Sequence, residues 1–187
     1  MAVTTLDPTT ALIVIDLQKA VVGMPTVHPA GEVVARAAAL ADAFRGLGLP
    51  VVLVTATGRA PGRTEGKAGR RPAMSPGMAD LVPELKQQPS DHIVAKQTWG
   101  AFHGTGLDAY LKNLGVTQVV VVGIATSAGV ESTARQAYEH GFNVTLAVDA
   151  MTDRDLEVHT NSITRVFPRL GETGTTQEII DLLRARG

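Results

Sequence analysis

Short runs of consecutive apolar residues recur along this chain, and between them apolar residues return every three or four positions. Residues 11–15 and 51–54 are such runs, and residues 92–95, 118–122 and 143–148, each opening on a polar residue, are further runs rich in β-branched residues. Length and β-branching mark them as strands, and their near-continuous apolarity marks them as strands covered on both faces. The helical spacing is clearest at Val33, Ala37, Leu40, Phe44 and Leu47, where Gly48 and Pro50 stop the pattern. It returns at Leu107, Tyr110, Leu111 and Leu114 before Gly115, and at Val130, Thr133, Ala137 and Tyr138 before Gly141. Both glycines stand where a helix ends in a left-handed residue. Residues 156–166 read as a further helix. The last helix opens on Thr175-Thr-Gln-Glu178, a capping-box pattern, and carries Ile179, Ile180, Leu182 and Leu183.

Doubly covered strands that alternate with helices predict an α/β fold, a parallel sheet with helices on both sides. No repeat or linker interrupts the pattern, so residues 1–187 read as one domain, long enough to bury a core without staples. The chain contains no cysteine, which excludes disulfides, thiolate zinc sites and thiol catalysis together. A formal net charge of −1 gives no reason to expect nucleic acid. The N-terminal residues lack a basic stretch followed by an apolar one, and no apolar run could span a bilayer. A cytoplasmic protein with no membrane partner is expected.

In open α/β sheets ligands bind at the carboxyl ends of strands, so polar residues there are the ones to weigh. Asp16 directly follows the first apolar run. Partial desolvation would raise its pKa and suit it to general acid/base work, though a carboxylate there can equally make a backbone turn. Lys96 ends the run 92–95 in the same way. It could hold a carboxylate ionised or offset developing charge, or it could be an ordinary surface lysine. Trp99 and Phe102 follow it and could pack on a substrate or in the core. The third strand end is the stretch 119–134, Val-Val-Val-Val-Gly-Ile-Ala-Thr-Ser-Ala-Gly-Val-Glu-Ser-Thr-Ala. Its strand, small-residue turn and helix aim backbone N–H groups at an anion or oxyanion, unless the glycines serve only close packing.

Together these pieces resemble the isochorismatase-like hydrolase superfamily, which includes nicotinamidases, carbamoylsarcosine-type amidohydrolases and isochorismatases. The likeness rests on Ile13-Val-Ile-Asp-Leu-Gln18, on Lys96 with Ala101-Phe102, and on Gly123-Ile-Ala-Thr-x-x-Gly-Val-Glu-Ser-Thr-Ala134; Tyr138 and Asp149 continue it. The resemblance implies a Rossmann-like three-layer α/β/α sandwich with a six-stranded parallel sheet, assembled as a homodimer or homotetramer. It also implies Asp16 as acid/base, Lys96 as its charged partner, and a cis peptide between Ile124 and Ala125. The N–H groups of Ala125 and Gly129 would then form an oxyanion pocket. Gly129 falls where the superfamily's cysteine hydrolases carry their nucleophile, and Thr126, Ser127 and Ser132 do not replace it. Gln18, Trp99, Phe102, Ala125, Thr126, Ser127 and Ala128 are expected around the substrate. Nicotinamidases carry metal ligands after the second strand, whereas Thr55-Ala-Thr-Gly58 offers none, and histidines 28, 92, 103, 140 and 159 have no ligand spacing. Neither metal nor cofactor is expected.

Three readings of the missing thiol follow. Asp16 could be a general acid on a vinyl ether, as in the isochorismatase branch, with the basic loop 58–72 (Arg59, Arg63, Lys67, Arg70, Arg71) holding substrate carboxylates. It could instead be a general base that activates water against another small molecule. Or the chain could be a catalytically inactive small-molecule binder. The expectation taken forward is a cysteine-independent hydrolase.

Overall fold

The computed structural model describes residues 3–65 and 77–185. Six strands form one parallel sheet: β1 (Thr10–Ile15), β2 (Val51–Ala56), β3 (His92–Lys96), β4 (Gln118–Ile124), β5 (Asn143–Thr152) and β6 (Glu172–Gly174). Their spatial order is β3-β2-β1-β4-β5-β6, so the direction of winding reverses between β1 and β4. In doubly wound sheets the ligand crevice opens at that reversal, beyond the carboxyl ends of the strands.

The helices are α1 (Lys19–Val22), α2 (Ala30–Gly46), α3 (Leu107–Asn113), α4 (Glu131–Glu139), α5 (Leu156–Asn161) and α6 (Thr176–Arg184). The two-residue alternation of β1 divides its side chains between two cores. Leu12 and Val14 pack with Leu40 and Phe44 of α2 and Ile179 and Leu183 of α6. Ala11, Ile13 and Ile15 pack with Leu107 and Leu111 of α3 and Ala134 and Ala137 of α4. Every residue of β1 and β4 is buried, which accounts for their unbroken apolar runs. Each fully buried Leu or Ile contributes about 1.5–3 kcal/mol relative to exposure.

Helix ends follow the pattern in the sequence. Gly48, Gly115 and Gly141 adopt φ of +67°, +70° and +87° after α2, α3 and α4. Thr175 caps α6 through Glu178 in a complete capping box. Arg45, near the end of α2, clamps Asp91 with two bonds of 3.0 and 2.8 Å and so fixes the start of β3.

Three features differ from the pattern reading. β5 runs four residues beyond 148, and its pairing with β4 shifts between Val121 and Gly123, which leaves Ala147–Ala150 unpaired with β4 there. The segment 156–166 holds α5 and then widens into a π turn, Ser162–Val166. β6 is three residues, Glu-Thr-Gly, too short and polar for hydrophobic periodicity to mark.

Candidate active site

Asp16 leaves β1 at the point of reversal. Its N–H still pairs with Val54 O of β2 at 3.0 Å, and its φ of +53° then turns the chain out of the sheet. Aspartate tolerates this left-handed conformation better than most residues. The turn sets the carboxyl group at the strand end, where the side chain is 10% exposed.

Lys96 ends β3, two strands away, and reaches past the end of β2 to Asp16. Its Nζ donates to Asp16 Oδ2 at 2.7 Å, to Trp99 O at 2.8 Å and to Thr98 O at 3.3 Å. Those three bonds use the full donor capacity of an ammonium group. The lysine side chain is 2% exposed, so the pair is buried. Burial pushes the Asp16 carboxyl up from 3.8 to about 6, and the Lys96 charge and hydrogen bond offset part of that rise. Asp16 Oδ1 is buried without a hydrogen-bond partner among the described residues. A buried carboxylate oxygen in that condition is costly unless something else meets it.

The third strand end brings Gly129 to the same place. The Ile124–Ala125 peptide is cis, and Thr126–Val130 form a wide π turn that runs into α4. A Cβ placed on Gly129 would lie 3.3 Å from Asp16 Oδ2, 3.5 Å from Lys96 Nζ and 2.8 Å from Ile15 Cγ2. Gly123, before the turn, has φ of +122°, and a Cβ there would overlap Ile15 O at 2.1 Å. Only glycine lets β4 lie against β1 at that rung. Asp16, Lys96 and Gly129, widely separated in sequence, therefore meet at one point over the β1/β4 crevice.

Two further layers hold the turn. Asp153, directly after β5, accepts from Ser127 N at 2.7 Å and Ser127 Oγ at 2.8 Å. Thr126 Oγ1 pairs with His159 Nδ1 of α5 at 2.8 Å. Burial and the neighbouring His28 ring lower the His159 pKa, and Asp153 partly offsets them. Among the described residues no group of three His, Cys, Asp or Glu side chains gathers at a metal-holding distance.

Residues 10–178 match the isochorismatase domain family. The chain belongs to the isochorismatase family. It is 41% identical to the uncharacterised isochorismatase family protein YecD of Escherichia coli, over 94% of this chain and 96% of that one. An isochorismatase family protein from Burkholderia thailandensis has a solved structure with a TM-score of 0.92 at 40% identity, covering 96% of this chain and 98% of that chain. A streptothricin hydrolase from Streptomyces noursei is 35% identical over 78% of this chain and 50% of its own length.

Within this isochorismatase-family site the expected substrate contacts divide. Ala125 and Ala128 remain half-buried at the turn, and Trp99 is 63% exposed beside Lys96. Gln18, Phe102 and Thr126 instead lie in supporting positions. Gln18 is fully buried, accepts from Ala56 N at 2.6 Å and donates to Ala56 O at 3.3 Å, bracing the end of β2. The Phe102 ring packs on Phe142 in the core, at a centroid distance of 5.8 Å. Thr126 is turned into α5, and the Ser127 hydroxyl is engaged by Asp153. Tyr138 is exposed on α4, and Asp149 accepts from Thr176 N at the start of α6. Of the basic loop, Arg59 and Arg63 are exposed, while Lys67, Arg70 and Arg71 lie outside the described residues.

Sequence reasoning missed Asp153, His159, Ile15 and Thr133. The strand-end rule applied to the run 143–148 points to Asp149, and Asp153 becomes a strand-end carboxylate only because β5 runs on to Thr152. Ile15 and Thr133 act through packing and a buried hydroxyl, which leave no mark in a single sequence.

Proposed function

We propose that this chain is a hydrolase of a small organic molecule that works without a covalent thiol intermediate. The observation that carries the reading is the condition of Asp16: Oδ2 is tethered by Lys96 and faces Gly129, and Oδ1 is buried without a partner among the described residues. A carboxyl group with a pKa of about 6 takes and returns a proton near neutrality, as a general base or acid must. Similarity to a streptothricin hydrolase supports hydrolysis as the reaction class.

In this reading Asp16 Oδ1 is the proton-handling atom. It draws a proton from water as the water attacks, or in its protonated form gives one to the substrate. Lys96 holds Oδ2 and supplies the charge that keeps Asp16 ionisable despite burial. The backbone N–H groups of Ala125 and Gly129 act as the oxyanion donors, with Trp99 and Ala128 at the rim. With no side chain at 129, the backbone of the turn lies directly against Asp16 Oδ2 and Lys96 Nζ. No residue of this site needs to form a bond to the substrate.

The test is turnover of a panel of vinyl ethers, amides and esters by the full-length protein. Asp16→Asn and Lys96→Ala are each expected to abolish turnover of whichever compound the wild type hydrolyses. A compound that raises the melting temperature while the whole panel stays intact would support the binding-only alternative.

A further inference from the structure

Thr133 of α4 is fully buried, and its hydroxyl makes two bonds. It donates to Gly129 O at 2.7 Å and accepts from Ala101 N at 3.1 Å. The first bond is ordinary for a threonine in a helix, which often returns its hydroxyl to the carbonyl four residues earlier. The second is not, because Ala101 belongs to the loop after β3. The Lys96 ammonium is lodged in that same loop, on the carbonyls of Thr98 and Trp99.

Gln136, one turn further along α4, makes a parallel tie. Its Oε1 accepts from Phe102 N at 3.0 Å, and its side chain lies flat on Gly100, where a Cβ would approach Oε1 to 2.2 Å. The face of α4 that includes Thr133 and Gln136 therefore straps the lysine loop to the helix whose preceding turn carries Gly129. Lys96 is the charge that Asp16 faces, and it lowers the proton affinity of that carboxyl group. Whatever fixes the lysine loop thus acts on Asp16.

We infer that Thr133 is a positioning residue whose hydroxyl links the Lys96 loop to the Gly129 turn and thereby sets the charge environment of Asp16. The inference rests on the reading of Asp16 as the proton carrier, and it needs no known substrate. Thr133→Val keeps the shape and removes both bonds, so Ala101 N–H and Gly129 C=O lose a buried partner and the loop loosens around Lys96. Thr133→Ser keeps the hydroxyl.

The experiment is a carbon-13 NMR titration of the Asp16 carboxyl carbon in the full-length protein, with the resonance assigned by its loss in Asp16→Asn. Thr133→Val is expected to raise the Asp16 midpoint by about one pH unit, the scale of losing part of an opposite charge at contact distance. Thr133→Ser is expected to restore it to within a few tenths of the wild type, an allowance well inside that charge effect. An unchanged midpoint in Thr133→Val, or an equal rise in Thr133→Ser, would overturn the inference and leave Thr133 a purely structural residue. Should Thr133→Val not fold, Thr133→Ala takes its place with the same two outcomes, since it removes the same two bonds. A wild-type midpoint in the ordinary carboxylate range would count against Asp16 as proton carrier, while the difference between variants would still decide the role of Thr133.

Discussion

Lys96 Nζ lies 2.7 Å from Asp16 Oδ2, and its other bonds go to the carbonyls of Thr98 and Trp99. The lysine has no donor left for a substrate carboxylate, so it acts on chemistry through Asp16. Lys96→Met should therefore leave a buried carboxyl with no counter-charge. The Asp16 pKa is expected to rise further above 6, and stability at pH 8 to fall by about 3–5 kcal/mol, the usual cost of breaking a buried pair. Urea denaturation at pH 8 and pH 5 checks this, because the loss shrinks at the lower pH as Asp16 takes up a proton.

Asp16 itself couples stability to pH in the direction opposite to a salt-bridged surface carboxylate. Its folded pKa of about 6 lies above the reference value of 3.8. The stability its protonated form contributes is thus present below the reference value and lost as pH rises through about 6. That difference corresponds to about 3 kcal/mol. Asp16→Asn should gain stability relative to the wild type by roughly that amount between pH 4 and pH 7. Parallel stability curves for the two proteins would show that burial does not perturb Asp16.

Gly129 is packed as a glycine rather than left as a gap. Its would-be Cβ meets Ile15 Cγ2 at 2.8 Å, and a methyl branch so close to the backbone cannot easily swing away. Gly129→Ala is expected to cost about 1–3 kcal/mol by overpacking. In combination with Ile15→Ala the two losses should add to less than their sum by more than about 0.5 kcal/mol, the signature of residues in contact. Gly129→Cys meets the same methyl, so introducing a thiol alone should not yield an amidase without a change at Ile15. Denaturation of the four proteins of the cycle measures the coupling.

Asp153 holds the turn through Ser127 N and Oγ at 2.7 and 2.8 Å and is 5% exposed. Asp153→Asn removes the charge from both bonds and should lower stability by about 1–3 kcal/mol. Hydrogen exchange at Ser127 should be faster in Asp153→Asn than in the wild type, while Val121 in the centre of β4 keeps its protection. Equal protection at Ser127 in both proteins would mean that the turn holds its shape without Asp153.

Much of this architecture was legible in the chain because its causes are local. Strands buried on both faces must be apolar throughout, so β1, β2 and β4 announce themselves, and Gly115 and Gly141 mark helix ends that need a left-handed residue. Asp16 and Lys96 were visible because each interrupts an apolar run at its carboxyl end. β6 was not, since Glu-Thr-Gly is too short to show a periodicity. The roles of Gln18 and Phe102 were also hidden. A glutamine bracing Ala56 and an aromatic ring inside the core look the same in sequence as residues facing a ligand. The strap through Thr133 joins positions 32 apart by one hydroxyl, a link that only the fold creates.

The most direct test of cysteine-independent hydrolysis by Asp16 is the pH dependence of kcat/KM for a hydrolysed member of the panel, in wild type and Asp16→Asn. The wild-type profile is expected to turn at about pH 6, and Asp16→Asn to lose at least about 100-fold at the optimum, the lower end of what a general acid or base contributes. Asp16→Asn turning over at the wild-type rate with the same profile would contradict it.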